Sequence, residues 1–223
     1  MSKADLIITV TDRYNSEAYS AWFRAQGIPL VLTLLGHGTA TTEILDYLSL
    51  EATEKSVLLC VTAHSPRLVH RAARELWLDV PGRGILMTVP LASIGGKATK
   101  DYLLQQKEVE ESMEKELTHQ LVVVITNQGH TEQVMEAARA AGATGGTALH
   151  AKGTGTELAQ KFFGVSIAEE KEIILILTKE ETRKDIMQAI IRKAGMQTEA
   201  QSLVFSLPVS DLAGLRRLES EET

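Results

Sequence analysis

Two stretches of the chain carry the same strand pattern. Leu6-Ile7-Ile8-Thr9-Val10-Thr11-Asp12 and Leu121-Val122-Val123-Val124-Ile125-Thr126-Asn127 are nearly continuous runs of aliphatic and β-branched residues, 115 positions apart. Such runs suit strands buried on both faces rather than half-solvated ones. The same offset carries Gly27 onto Gly142 and Gly38-Thr39 onto Gly153-Thr154. One residue further out of register, Glu54-Lys55-Ser56-Val57 falls on Glu170-Lys171-Glu172-Ile173, and Thr62 on Thr178. With two more inserted, Val89-Pro90-Leu91 falls on Leu207-Pro208-Val209. Register changes confined to loops are what an internal duplication leaves behind, because loops tolerate insertion.

Each copy predicts the same six elements. A strand (Leu6–Thr11; Leu121–Thr126) leads into a helix (Ser16–Gln26; Thr131–Ala141), the second with Val134, Met135, Ala138 and Ala141 on one face. Gly27 and Gly142 stand where glycine ends a helix. A second strand follows (Pro29–Leu35; Thr144–Ala151), then a Gly/Thr-rich segment and a third, unbroken apolar strand (Val57–Val61; Ile173–Leu177). A second helix (Pro66–Leu76; Lys179–Ala194) and a last strand (Ile85–Val89; Leu203–Leu207) complete the copy at Pro90 or Pro208. The order β-α-β-β-α-β defines an α+β chain of two tandem ferredoxin-like units. Both helices of such a unit cover one sheet face, so the other needs a twin module or another subunit to cover it. Between the copies, Asp101–Leu117 is rich in helix formers and charge and predicts a helical linker. The expected division is residues 1–96, a linker at 97–118, residues 119–218, and an acidic tail at 219–223.

Composition narrows the functions open to such a chain. The formal net charge of −6 is the wrong sign for a surface that displaces counterions from nucleic acid, so no nucleic-acid partner is expected. Aromatic residues make up 4% of the chain, so the cores have to be built from Val, Ile, Leu and Ala. A single cysteine, Cys60, cannot close an internal disulfide, and within the apolar run 57–61 it reads as a small buried hydrophobe. The first residues, Met1-Ser2-Lys3-Ala4-Asp5, pass straight into strand pattern without a secretory signal. No apolar run approaches the ~18 residues of a membrane span. A soluble, cytoplasmic protein is expected, not one embedded in a membrane.

Recognisable catalytic chemistry is missing. The histidines, His37, His64, His70, His119, His130 and His150, form no metal-ligating pair, and there is no Cys-x-x-Cys, so no metal site is expected. His70 lies among Arg67, Arg71 and Arg74 and reads as part of a solvated basic face. No nucleophile elbow or Walker lysine motif occurs, and Asp12, Asp46 and Asp79 are not spaced for paired acid–base work. An enzyme is not expected. Gly36-His37-Gly38-Thr39 and Lys152-Gly153-Thr154-Gly155-Thr156 are the candidate binding segments. Glycine permits left-handed conformations that turn successive N–H groups inward as an anion-binding nest, here beside hydroxyls and a cation. His37 and His150 flank these segments, where a phosphate or carboxylate contact is chemically reasonable.

The second copy reads ARAAGATGGTALHAKGTG over residues 138–155 and closes with VFSLPV over 204–209. In order and spacing this resembles the PII-like nitrogen-regulatory signalling proteins, with a Lys-Gly-x-Gly turn at the base of their T-loop and a last strand ending Phe-x-Leu-Pro-Val. The resemblance covers residues ~120–217 directly and ~5–96 through the internal repeat. It implies a homotrimer of tandem chains, an adenine nucleotide (ATP, ADP or AMP) held in clefts between modules, and control of a target protein such as a membrane transporter, without catalysis. By the same resemblance Gly82, Arg83 and Gly84 occupy the phosphate-binding B-loop, although Ile85 stands where the family has a lysine. In the second copy that stretch is Ala200-Gln201-Ser202-Leu203, without glycine or lysine. Arg216 matches one arginine of the C-terminal loop and Gly214 stands in place of another. The complementary losses suggest one site combining Gly82, Arg83 and Gly84 with Lys152, Gly153, Thr154 and Gly155. The loop segments 40–55 and 157–171 are shorter than the family's T-loop. Tyr47 is expected to pack with Leu45, Leu48 and Leu50 in a short helix, which argues against uridylylation there. The rival reading is a trimeric scaffold that kept the fold and lost the nucleotide.

Overall fold

The computed structural model describes residues 4–39, 54–80, 83–92, 94, 97–105, 118–152 and 170–214. Its strands and helices are β1 (Ala4–Asp12), α1 (Ser16–Ala25), β2 (Val31–Gly38), β3 (Glu54–Ala63), α2 (Pro66–Glu75), β4 (Ile85–Pro90), α3 (Lys97–Leu104), β5 (His119–Asn127), α4 (Thr131–Ala140), β6 (Thr147–Lys152), β7 (Glu170–Lys179), α5 (Glu180–Ala194), β8 (Leu203–Val209) and β9 (Asp211–Ala213). The order βαββαβ therefore occurs on either side of α3. The helix α3 starts at Lys97, earlier than the expected linker helix, and residues 106–117 lie outside the described residues.

Two compact units form, and their boundaries interleave along the chain. The first takes residues 1–34, 56–116 and 209–223, and the second takes 35–55 and 117–208. In the first unit the strand order is β2-β3-β1-β4-β9. Ile7, Leu58 and Leu86 of the sheet pack against Tyr19 and Phe23 of α1 and Val69 and Ala72 of α2. Cys60 lies in the same core, 3% exposed. In the second unit the order is β8-β5-β7-β6. There Val122, Val124, Ile174 and Ile176 meet Val134, Met135 and Ala138 of α4 and Ile186 and Ile190 of α5. Both cores are aliphatic, as the low aromatic content requires, and both helices of each unit share one sheet face. On β8 the alternation is plain: Val204 packs on that core, while Leu203 and Phe205 stand 49% and 42% exposed.

The Gly36-His37-Gly38 segment departs from expectation. It is not a turn but the end of β2, paired antiparallel in the second unit as Gly36↔Leu149, His37↔Ala148 and Gly38↔Thr147. None of the three has a positive φ, so no inward-facing nest forms there. Glycine is required for another reason: a Cβ on Gly36 would sit 2.4 Å from the Ala148 carbonyl oxygen and 2.6 Å from Leu149 Cδ2. Gly36→Ala is expected to lower the unfolding free energy by about 1–3 kcal/mol, because one strand has to shift to admit the methyl group. Urea denaturation followed by circular dichroism should show a lower midpoint at an unchanged slope. An unchanged midpoint would mean that residues 36–38 are not held on β6 within the second unit.

Candidate functional site

The loop entering β4 is the most firmly built of the expected binding segments. Arg83 carries an exposed side chain, yet its carbonyl is fixed from two directions. Thr11 Oγ1 donates to it at 2.8 Å, and Tyr19 Oη, from α1, also donates at 2.8 Å. The Tyr19 hydroxyl lies 3.2 Å from the Leu76 carbonyl as well, at the end of α2. Burial raises the Tyr19 pKa, partly opposed by the Thr11 contact and the Arg83 charge, so the phenol stays a donor through the neutral range. Gly84 follows at φ +143°, with its ideal Cβ position 2.5 Å from the Val10 carbonyl oxygen. Only glycine fits that backbone and that approach.

The end of the chain crosses this loop within the same unit. Ser210 N–H donates to the Thr88 carbonyl at 2.9 Å, and Asp211 N–H to Thr88 Oγ1 at 3.0 Å. The strand β9 then pairs with β4 through Leu86↔Ala213, Met87↔Leu212 and Thr88↔Asp211. At Gly214, φ +87°, an added Cβ would fall 2.2 Å from the Gly84 carbonyl oxygen. Two glycine backbones thus approach closely next in the chain to Arg83, whose exposed guanidinium is a group suited to bidentate binding of phosphate or carboxylate. An open cleft of ≈ 280 Å³ adjoins them, lined by His70, Ala73, Asp79, Leu212 and Gly214 among others. Gly82 and Arg216 lie outside the described residues.

The corresponding loop of the second unit is closed. Thr126 Oγ1 and Asn127 N–H both donate to the Ala200 carbonyl at 3.0 Å, matching the Thr11 contact with Arg83. Ala200 is fully buried there, and Ser202 Oγ donates to Thr126 Oγ1 at 3.0 Å. Ala200 stands where the first unit has Arg83, and the Lys171 amine donates to Asn127 Oδ1 beside it.

The other expected site residues are distributed over the second unit. Thr39 N–H and Oγ1 both donate to the Gly146 carbonyl at 2.9 Å, and Arg139 Nη1 donates to the Thr39 carbonyl at 3.0 Å. The Thr39 hydroxyl proton is therefore engaged inside the protein. His37 and His150 are diagonal neighbours on β2 and β6, their rings 5.9 Å apart. Lys152 ends β6 opposite Glu170, and Gly153, Thr154, Gly155 and Thr156 lie outside the described residues, as do Tyr47 and the helix expected around it. Glu172, 5% exposed, accepts from Thr131 Oγ1 at 2.6 Å and Gly129 N–H at 3.3 Å, which fixes the start of α4. Among the described residues no group of three or more His, Cys, Asp or Glu could hold a metal ion. No described helix is long and apolar enough to cross a membrane.

Thr11 and Tyr19 escaped the sequence reading. A threonine inside a strand pattern carries no signal of its own. Tyr19 offers only a faint one, a polar-tipped aromatic on the buried face of a helix, where the hydroxyl needs a partner.

Fold and loop together define a class: a βαββαβ module with a glycine-built loop entering its last strand. Residues 119–219 match the family model described as "Nitrogen regulatory protein P-II". Members of that family are regulatory proteins rather than enzymes. Among solved structures, the chain is similar to Arabidopsis thaliana PII bound to citrate, at 22% identity and a TM-score of 0.34, covering 43% of this chain and 79% of that one. A search of curated proteins finds no match.

Proposed function

We propose that the protein is a tandem PII-like regulatory sensor, two domains at residues 1–96 and 119–218, that binds an adenine nucleotide and controls a partner protein through its loops. The observation that carries this reading is the Arg83–Gly84 loop: a cation on a doubly anchored, glycine-built backbone, crossed by the end of the chain. Equivalent threonines, Thr11 and Thr126, donate to the carbonyl of the loop before the last strand in both halves, which supports the duplication. The exposed Leu203 and Phe205 support assembly of several chains, a trimer by the family resemblance. The effector has to bind one loop state more tightly than the other, and that difference alone sets the output. A cytoplasmic location and a role in nitrogen metabolism or transport follow from the same resemblance.

Calorimetric titration of the full chain with ATP, ADP and AMP tests the reading. Arg83→Ala is expected to weaken the tightest-bound nucleotide by roughly 10- to 100-fold, the loss of a charge-assisted contact. An unchanged Kd would remove Arg83 from the site. The closed second loop favours a second reading, a scaffold without a nucleotide, and the absence of heat with all three nucleotides would establish it over the first.

A further inference from the structure

Three helices end in the same hydrogen-bonded motif, and one of them does so with an unexpected residue. After α1, Gly27 N–H donates to the Arg24 carbonyl at 2.9 Å and Ile28 N–H to Phe23 at 3.2 Å. After α4, Gly142 N–H donates to Arg139 at 2.9 Å and Ala143 N–H to Ala138 at 3.0 Å. After α2 the pattern repeats, with Trp77 N–H to Arg74 at 3.3 Å and Leu78 N–H to Ala73 at 2.9 Å. This is the Schellman arrangement, whose pivot residue has to adopt a left-handed backbone and is usually glycine. Gly27 and Gly142 adopt it at φ 71° and 98°, and Trp77 at 57°.

A tryptophan is a poor choice for that position. The left-handed conformation strains any residue with a Cβ, most of all a bulky one. Packing does not compensate for the strain, because Trp77 is 65% exposed while Leu76 and Leu78 on either side are 8% and 1% exposed and fill the core. The chain's own stability therefore gives no reason for an indole here. Its position gives one. Val80 N–H donates to the Trp77 carbonyl at 3.0 Å, and Arg83 N–H to the Val80 carbonyl at 3.2 Å. The Val80 backbone thus links that of Trp77 to that of Arg83 through two hydrogen bonds. Asp79, between Trp77 and Val80 in the chain, lines the cleft with His70 and Gly214.

We propose that Trp77 is the stacking surface for the base of the nucleotide whose phosphates face Arg83. The inference rests on the nucleotide reading above and adds the residue that selects an aromatic base over a simple polyphosphate. A flat exposed indole suits any purine face, and loss of such a stacking partner weakens binding by roughly 5- to 100-fold. Arg83 supplies charge, which inorganic polyphosphate would satisfy equally. Trp77 supplies what only the base can use.

Trp77→Gly separates function from folding because the two effects have opposite signs. Glycine suits the left-handed pivot, so the melting temperature is expected to rise by about 2–4 °C. The Kd for ADP should nevertheless weaken at least fivefold, while binding of inorganic pyrophosphate stays unchanged. Trp77→Tyr keeps a ring and should stay within about threefold of the parent. In a Trp22→Phe background, ADP should quench the remaining indole emission. An ADP affinity unchanged in Trp77→Gly would overturn the inference and leave the nucleotide reading intact, provided Arg83→Ala still weakens binding. A change in mass by light scattering at constant ADP affinity would assign Trp77 to a protein contact instead. If the parent protein binds neither ADP nor ATP, both readings fall together.

Discussion

Gly84→Ala is expected to destabilise the first unit by about 3 kcal/mol and to remove nucleotide binding with it. Two costs coincide at this position. At φ +143° an L-residue is strained by about 1–3 kcal/mol whatever surrounds it. A methyl group would also lie 2.5 Å from the Val10 carbonyl oxygen and 3.3 Å from Thr11 Cβ, forcing β1 and β4 apart for a further 1–3 kcal/mol or so. Gly129 is the natural control. Its φ is +88° and nothing lies within 4 Å of an added Cβ, so Gly129→Ala carries the conformational cost alone. Denaturation midpoints for the two variants would separate strain from close contact. Equal, small shifts would mean that the Arg83–Gly84 loop is not tied to β1. The binding loss follows because displacing Gly84 breaks the Thr11 and Tyr19 contacts that hold the Arg83 carbonyl.

What could be read in the sequence was local. The apolar runs of β1 and β5, the helix-ending Gly27 and Gly142, and the buried character of Cys60 all follow from composition and period within a dozen residues. The misreading of Gly36-His37-Gly38 has the opposite cause. Gly-x-Gly is turn chemistry when judged locally, but Gly36 answers to Ala148 and Leu149, more than 100 residues away, and a cross-strand approach leaves no trace in its own neighbourhood. Three-residue β9 is too short for any period to register. Trp77 was hidden for a different reason: the motif that ends α2 is announced by glycine, and its place is taken by a residue that suggests a core. The candidate site inherits the same division. Arg83 and Gly84 stood out by residue type, whereas Thr11, Tyr19 and β9 reach them through tertiary contacts alone.

Ending the chain after Val209 should destabilise a sheet that lies far earlier in the sequence. The segment removed follows β8 directly, yet residues 209–214 belong to the first unit. Their loss strips β4 of its pairing with Asp211–Ala213 and deprives Thr88, 2% exposed, of Ser210 and Asp211. Four or five hydrogen bonds at roughly 0.5–1.5 kcal/mol each put the cost at about 2–7 kcal/mol. Hydrogen exchange locates it: amides of 85–89 should lose protection while those of 121–125, paired with β7, keep theirs. Equal loss in both halves would show the two units unfolding as one, and no loss would show β9 to be idle. The expected pattern bears on function as well as on folding. The segment that would be deleted carries Gly214 onto Gly84, so the Arg83–Gly84 loop of the first unit is completed by residues encoded after the last strand of the second. A duplication that merely repeated a domain would leave each copy self-sufficient. Here the edge strand β4 of the first unit is covered by residues 211–213, which follow the last strand of the second.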